Sequence, residues 1–318
     1  MAPNRPTTKQ LLQCVAVHLN VDPASISLAP IPTGKFNDSY YVLASNREFV
    51  LRVAPSRNAV FCFYEKNMMW QEPRIHELLL EKTAVPVARI HVFDKSRTLI
   101  PRDFLIMGRL PGIAMSELTH IDEDAVLRQV GEALAETHAQ HGELYGYTGE
   151  HRPMDPQHCW ADAFVIMWRK LVDDVVSVGY YDDEERTLML STLDKYLALF
   201  DRPVPASLLH MDVWAQNILV DGGSTLTGLL DWDRALWGDP EIEFAVLDYC
   251  GISKPAFWEG YGGTREDSPE ARVRNFFYLL YEMQKYIVIR HGRGHDPYGA
   301  MAHKTQVMEI MRRIQRIG

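Results

Sequence analysis

The chain has 318 residues, 47% of them hydrophobic and 24% charged, a balance that supports a buried core in one large domain or two lobes. Its 42 acidic and 33 basic side chains give a formal net charge of −9, which repels phosphate backbones, excludes an obvious nucleic-acid binder and is compatible with cationic small substrates. No run approaches the ~20 apolar residues of a membrane span, the N-terminus lacks a signal-peptide core, and Cys14, Cys62, Cys159 and Cys250 are too scattered for a zinc or disulfide framework, so free thiols in a cytoplasmic protein are expected.

In chain order, Thr8–Asn20 carries apolar positions at helical spacing and predicts an opening helix. Three short runs rich in β-branched and aromatic residues follow, at Ile26–Ile31, Tyr40–Ala44 and Glu48–Ala54. The Gly, Asn and Asp of Thr33–Ser39 suit a tight turn between the first two, and Ser45–Arg47 a second, so an antiparallel meander is expected. Ile75, Leu78, Leu79 and Lys82 read as a helix with Pro73 near its start. Val85–Phe93 and Phe104–Met107 predict further strands, and Gly108-Arg109-Leu110-Pro111-Gly112 breaks the pattern. Beyond it, Asp124–His138, Ala161–Val178 and Glu184–Phe200 are amphipathic, a β interlude covers Ser207–Leu230, and helices resume at Ile242. The fold class is therefore α+β and bilobal: a small antiparallel β lobe over residues 1–107, a linker at 108–112, and a larger, mostly helical lobe over 113–318.

The chemistry concentrates in Leu209-His210-Met211-Asp212 through Asn217-Ile218-Leu219-Val220, where apolar strands flank a polar turn. A second apolar run, Leu226–Leu230, ends at Asp231-Trp232-Asp233. Pairing of these strands would bring Asp212, Asn217 and Asp231 to one sheet end. Phosphoryl transfer uses such residue types: a carboxylate and an amide oxygen on Mg²⁺, and an acid that orients the acceptor hydroxyl. The five-residue step from Asp212 to Asn217 is also the protein-kinase spacing.

These two segments, with Gly238-Asp239-Pro240 behind them, resemble the catalytic and metal-binding segments of the aminoglycoside phosphotransferases and their choline-kinase-like relatives, hygromycin-type enzymes being nearest in character. The order of elements matches from about Ile26 to the C-terminal helices. The resemblance implies a protein-kinase-like fold whose small lobe binds the nucleotide, with ATP and Mg²⁺ as cofactors. It implies Asp212 as catalytic base, Asn217 and Asp231 as Mg²⁺ ligands, Asp239 as a structural partner of the catalytic loop, and His210 as a residue that holds that loop. It also implies Gly34, Asn37 and Ser39 in a phosphate-covering turn, Arg52 on the phosphates, and Met107, Gly108 and Arg109 in a hinge whose backbone reads the adenine edge. Glu72 matches best as the Arg52 partner, although Pro73 pushes the residue before it away from helical geometry, and Glu65 and Glu77 are substitutes. Asp233 is expected to face water.

The implied acceptor is a hydroxyl-bearing small molecule: an aminoglycoside antibiotic, or a non-antibiotic sugar, choline or amino-acid derivative. Asp162, Asp173, Asp174, Glu241 and Glu243 could attract a polycation, but each reads first as a solvated helix residue. No obligate protein partner is evident. A dehalogenase-like reading of Asp231-Trp232-Asp233 fails because Ala235 stands where that motif wants Thr or Val. A P-loop is absent, since Gly34-Lys35 lacks the upstream Gly and the following Ser or Thr. A catalytically silent kinase-like binding module is the remaining alternative.

Overall fold

Thr7 caps the first helix, α1 (Thr8–Leu19), in a reciprocal capping box with Gln10. This computed structural model describes residues 5–317. After α1 come β1 (Ser27–Ile31), β2 (Asp38–Ala44), β3 (Arg47–Val53), β4 (Ile90–Asp94) and β5 (Phe104–Gly108), in an antiparallel sheet of order β1-β2-β3-β5-β4. The period-2 alternation of β3 sends Phe49, Leu51 and Val53 into one core with Leu11, Cys14 and Val15 of α1. The intervening Val50 and Arg52 belong to the opposite face, toward the other lobe. Strand β5 runs one residue into the expected linker.

The expected strand Val85–Phe93 forms only from Ile90. Pro86 has no N–H for a ladder, and its carbonyl accepts instead from Leu229 of the helical lobe at 2.9 Å. Val85 and Val87 are buried in that lobe's core. Helix α2 (Glu72–Lys82) follows directly from a 3₁₀ turn at Met68–Gln71. That turn delivers Glu72 at φ −54°, ψ −44°, so it is helical despite Pro73, which itself suits a first turn.

The helical lobe contains α3 (Glu123–His138), α4 (Trp160–Ser177), α5 (Asp183–Tyr196), α6 (Pro240–Tyr249), α7 (Pro255–Tyr261), α8 (Pro269–Gly292) and α9 (Pro297–Ile317). Two small sheets are set into it. One joins β6 (Ile113–Ala114), β8 (Ile218–Val220) and β9 (Leu226–Leu229); the other joins β7 (Ser207–Leu209) and β10 (Leu236–Gly238). Its core is aromatic, with Trp160, Phe164, Trp168, Phe200, Phe277 and Tyr278 packed between α4 and α8. Phe164 and Phe200 stack at 4.9 Å.

The chain between β3 and α2 belongs to this second core, which its position in the sequence conceals. Cys62, Tyr64 and Met68 are buried there. The Phe63 amide donates to Asp174 of α4 at 2.6 Å, and Glu65 pairs with Arg293 at 2.7 Å. Burial pushes the Asp174 carboxyl up to about 7, although the Phe63 amide favours its charge. The folded state thus holds this proton more tightly than the unfolded chain does. Its contribution to stability is complete below the ordinary carboxyl value of 3.8 and is lost as pH rises through about 7. Asp174→Asn, which can still accept from Phe63, should remove this slope. In urea unfolding from about pH 5 to pH 8, the wild-type midpoint should fall relative to the variant's; parallel profiles would refute the coupling.

Candidate active site

The polar loop between β7 and β8 is held in an unfavourable backbone shape. Met211 has φ +67°, a left-handed conformation that a residue with a long side chain adopts only under constraint. Both of its peptide groups are fixed. Its amide donates to Glu243 Oε1 at 2.6 Å, and its carbonyl accepts from Arg234 Nη1 at 2.6 Å. The His210 amide donates to the other Glu243 oxygen at 3.0 Å. Glu243 is fully buried on α6 and also meets His138 Nε2 at 2.8 Å. Burial opposes its charge, yet the His138 bond and the Met211 amide help keep its carboxyl below the usual range. The His210 ring completes the brace: Nε2 donates to the Leu230 carbonyl at 2.9 Å, and Nδ1 accepts from the Asp212 amide at 3.2 Å.

Asp212 emerges from this brace with its side chain 31% exposed. Asn217 Nδ2 donates at 2.9 Å both to the Asp212 carbonyl and to its Oδ2, which leaves the Asn217 amide oxygen for other use. Pairing of Ile218 with Leu229, and the Leu230 amide on the Asn217 carbonyl at 2.9 Å, then bring Asp231 out beside Asn217. Asp231 is also left-handed, at φ +71°.

Arg52 reaches this loop end from β3. Its guanidinium pairs with Glu72 at 2.5 Å, with Asp231, and with Asp233 at 3.2 Å. Burial works against the Arg52 charge, but Asp231, Glu72 and Asp233 outweigh it and raise its pKa above the ordinary guanidinium value. The turn from Gly34 to Ser39 closes over the same point. Asn37 Nδ2 donates to Asp233 at 3.1 Å, the Lys35 ammonium lies 4.3 Å from the Trp214 ring centre, and Ser39 pairs across the sheet with Arg52. A Cβ on Gly34 would lie 2.8 Å from the Asn37 carbonyl oxygen, so the turn can fold back this tightly only on glycine.

The pattern of the phosphotransferase enzyme family (APH) matches residues 27–274, which takes in both lobes and every residue of this constellation. The chain belongs to that family. Among curated APH-like relatives, hygromycin-B 4-O-kinase of Escherichia coli is 24% identical over 236 residues, 69% of this chain and 61% of that one. This chain therefore spans less than two thirds of that relative's length. A probable ketoamine kinase of Vibrio parahaemolyticus serotype O3:K6 is 24% identical over 64% of this chain and 73% of its own. The fold is also that of the aminoglycoside phosphotransferase APH(4)-Ia. Its apo thermostable mutant superposes with a TM-score of 0.67 at 19% identity, over 96% of this chain and 98% of that chain. A further mutant solved with AMP-PNP and hygromycin B gives 0.64 at 18%, over 90% and 93%.

Within this APH fold several placements differ from expectation. Asp233 does not face water: it is buried on Arg52 and Asn37, and burial raises its carboxyl well above the usual range. Asp239 does not touch the catalytic loop; it caps α6 and accepts from Arg202 and the Tyr278 hydroxyl. Glu243, one turn further along that helix, is the loop's anchor instead. An acid inside the apolar stretch Ile242–Leu247 was the available signal. The hinge differs as well. Met107 pairs with Val50 inside the sheet, the Gly108 amide donates to the Arg89 carbonyl at 2.9 Å, and the Arg109 amide to the Glu48 carbonyl at 3.2 Å. These bonds extend the sheet edge, so the amides of 108 and 109 are not free to read a ligand, and the Arg109 side chain turns outward onto Glu48 and Tyr41.

Removing the Glu243 carboxylate leaves two buried amides without acceptors, at about 1–3 kcal/mol each. Glu243→Ala should therefore lower stability by about 2–6 kcal/mol in urea unfolding, with Glu243→Gln between it and wild type. A loss under about 0.5 kcal/mol, the range of neutral surface changes, would refute the anchor.

Proposed function

We propose that this chain transfers the γ-phosphate of ATP to a hydroxyl of a small molecule, with Mg²⁺ held by Asn217 and Asp231. The observation that carries the reading is the convergence of Asp212, Asn217 and Asp231 at one end of paired strands, directly beneath Arg52. Asp212 is the exposed carboxylate best placed to orient the acceptor hydroxyl and take its proton. The hydroxyl oxygen bonds to the γ-phosphorus as the bond to the β-phosphate oxygen breaks, leaving ADP. Arg52 presents a planar fork to the phosphates, held in place by Glu72. The amides of the turn from Gly34 to Ser39 can approach the same oxygens.

The donor set suits Mg²⁺. Glu72, Asp231 and Asp233 place three carboxylates around the single Arg52 guanidinium, an excess of negative charge that a divalent cation would offset. No cluster of three or more His, Cys, Asp or Glu side chains in ligating geometry occurs among the described residues. One carboxylate with one amide oxygen fits a cation that keeps most of its waters. When bound, Mg²⁺ would draw charge from the phosphate oxygens. Asp212→Asn should lower turnover about 10²–10⁴-fold while leaving ATP binding intact. Asp231→Ala should abolish Mg²⁺–ATP binding measured by calorimetry. Near-normal turnover in the Asp212 variant would sink the assignment, and absence of any ATP turnover in wild type would favour a silent binding module.

For the acceptor, the engagement of the helical-lobe acids favours a hydroxylated metabolite over a polycationic antibiotic. Asp173 pairs with Arg186, Asp174 holds the Phe63 amide, Glu241 pairs with Arg202 and Arg274, and Glu243 is spent on the loop. Of the five acids considered, only Asp162 is exposed with no ion-pair partner among the described residues. The relatives' names include one antibiotic kinase and one ketoamine kinase, and the second agrees better with this charge distribution. ATP consumption should accordingly be stimulated more by a fructosyl-amino acid than by hygromycin B. A higher kcat/KM for hygromycin B would reverse this choice.

A further inference from the structure

Asp212 is contacted from a direction that the phosphate-handling residues do not explain. Lys285 on α8 places Nζ 3.8 Å from Asp212 Oδ1, with its side chain only 5% exposed. Its nearer partner is Glu282 Oε1, 2.6 Å away and one turn earlier, itself 1% exposed. The other Glu282 oxygen lies 2.9 Å from Arg234 Nη1, and that same nitrogen donates to the Met211 carbonyl at 2.6 Å. The series Met211 carbonyl, Arg234, Glu282, Lys285 and Asp212 side chain therefore closes a ring through the peptide between residues 211 and 212. Two cations alternate with two carboxylates, so the ring is internally balanced. Buried charges are tolerated only when paired in this way.

The ring answers a geometric need. The terminal torsion of an aspartate is soft, with a broad, roughly two-fold profile. Asn217 holds one oxygen, Oδ2, from one side, which leaves the carboxylate plane free to swing into a cleft to which it is partly exposed. A second charge on Oδ1, carried by a rigid helix, removes that freedom. We propose that Lys285 is a positioning residue that fixes the plane of the Asp212 carboxylate, with Glu282 and Arg234 coupling it to the backbone of the same loop. The proposal rests on the reading of Asp212 as the base. If Lys285 served only to satisfy Glu282, its loss would affect stability and leave the Asp212 chemistry unchanged.

The test uses the full chain and Mg²⁺–ATP with water as acceptor, so that it does not depend on the identity of the natural acceptor. Lys285→Met should lower kcat about 100-fold, the scale of a misplaced catalytic group, with KM for ATP and the calorimetric Kd for Mg²⁺–ATP within about twofold of wild type. Lys285→Arg, which keeps the charge, should recover at least about tenfold of that loss. Lys285→Gln, which keeps a polar side chain beside Glu282 without the charge, serves in place of the Met variant if that one fails to fold. The decisive comparison is the double variant: Asp212→Asn with Lys285→Met should be no slower than Asp212→Asn alone, because Lys285 acts through Asp212. Wild-type kcat in the folded Met or Gln variant overturns the proposal, and so does a double variant slowed by the full product of the single effects. Wild-type protein that turns over no ATP instead overturns the phosphotransfer reading itself.

Discussion

A guanidinium buried between two lobes is unfavourable unless acids surround it, and Arg52 meets that constraint by drawing acids from both lobes. Glu72 comes from the first turn of α2, whereas Asp231 and Asp233 come from the loop after β9. Each acid is itself costly to bury, so the arrangement persists only while all of them are assembled. The turn from Gly34 to Ser39 is drawn in through Asn37 on Asp233. The relative placement of sheet, turn and catalytic loop thus depends on one cation. Asp231 is partly exposed where it meets Arg52, whereas Glu72 is fully buried, so under the proposed function it is the Asp231 contact that phosphate groups would displace.

The catalytic loop depends on a second set of charges, placed below it in the helical lobe. Glu243 holds two successive amides, and Arg234 holds the carbonyl that follows. With both sides of Met211 fixed, its left-handed backbone is sustained by packing and not by its own preference. Anchors on α6 and α8 are rigid because an aromatic core stands behind α8, and rigid supports are what a positioned carboxylate requires. The two lobes are also less separate than the sheet and helices suggest. Residues Cys62 to Met68 leave the small lobe to bury themselves in the large one, and Val85 to Val87 do the same, with Pro86 bonded to Leu229.

The antiparallel meander of β1 to β3, the helices of the second lobe and the grouping of Asp212, Asn217 and Asp231 were legible in the sequence because each rests on local information, whereas the insertion of β5 between β3 and β4 was not. Alternation places Arg52 opposite Phe49, Leu51 and Val53; helical period marks α3 to α5; and a five-residue step between short strands sets Asn217 against Asp212. Family resemblance adds weight to the same positions. Beyond these, the tertiary structure decided. Nothing in the sequence separates Asp233, buried on Arg52, from an exposed acid four residues after a strand. Asp239 and Glu243 lie within five residues of each other, and only the packing of α6 under β7 selects the latter as anchor. Pro86 and the amides of Gly108 and Arg109 were misplaced because strand ends are fixed by partners distant in the chain. Lys285 reaches Asp212 from 73 positions further along the chain. The chain by itself determined which side chains could perform the chemistry, since residue type and short spacing are local properties. Which acids are paired, buried or free was left to the fold, because charge burial is a property of the surroundings and those are assembled only in three dimensions.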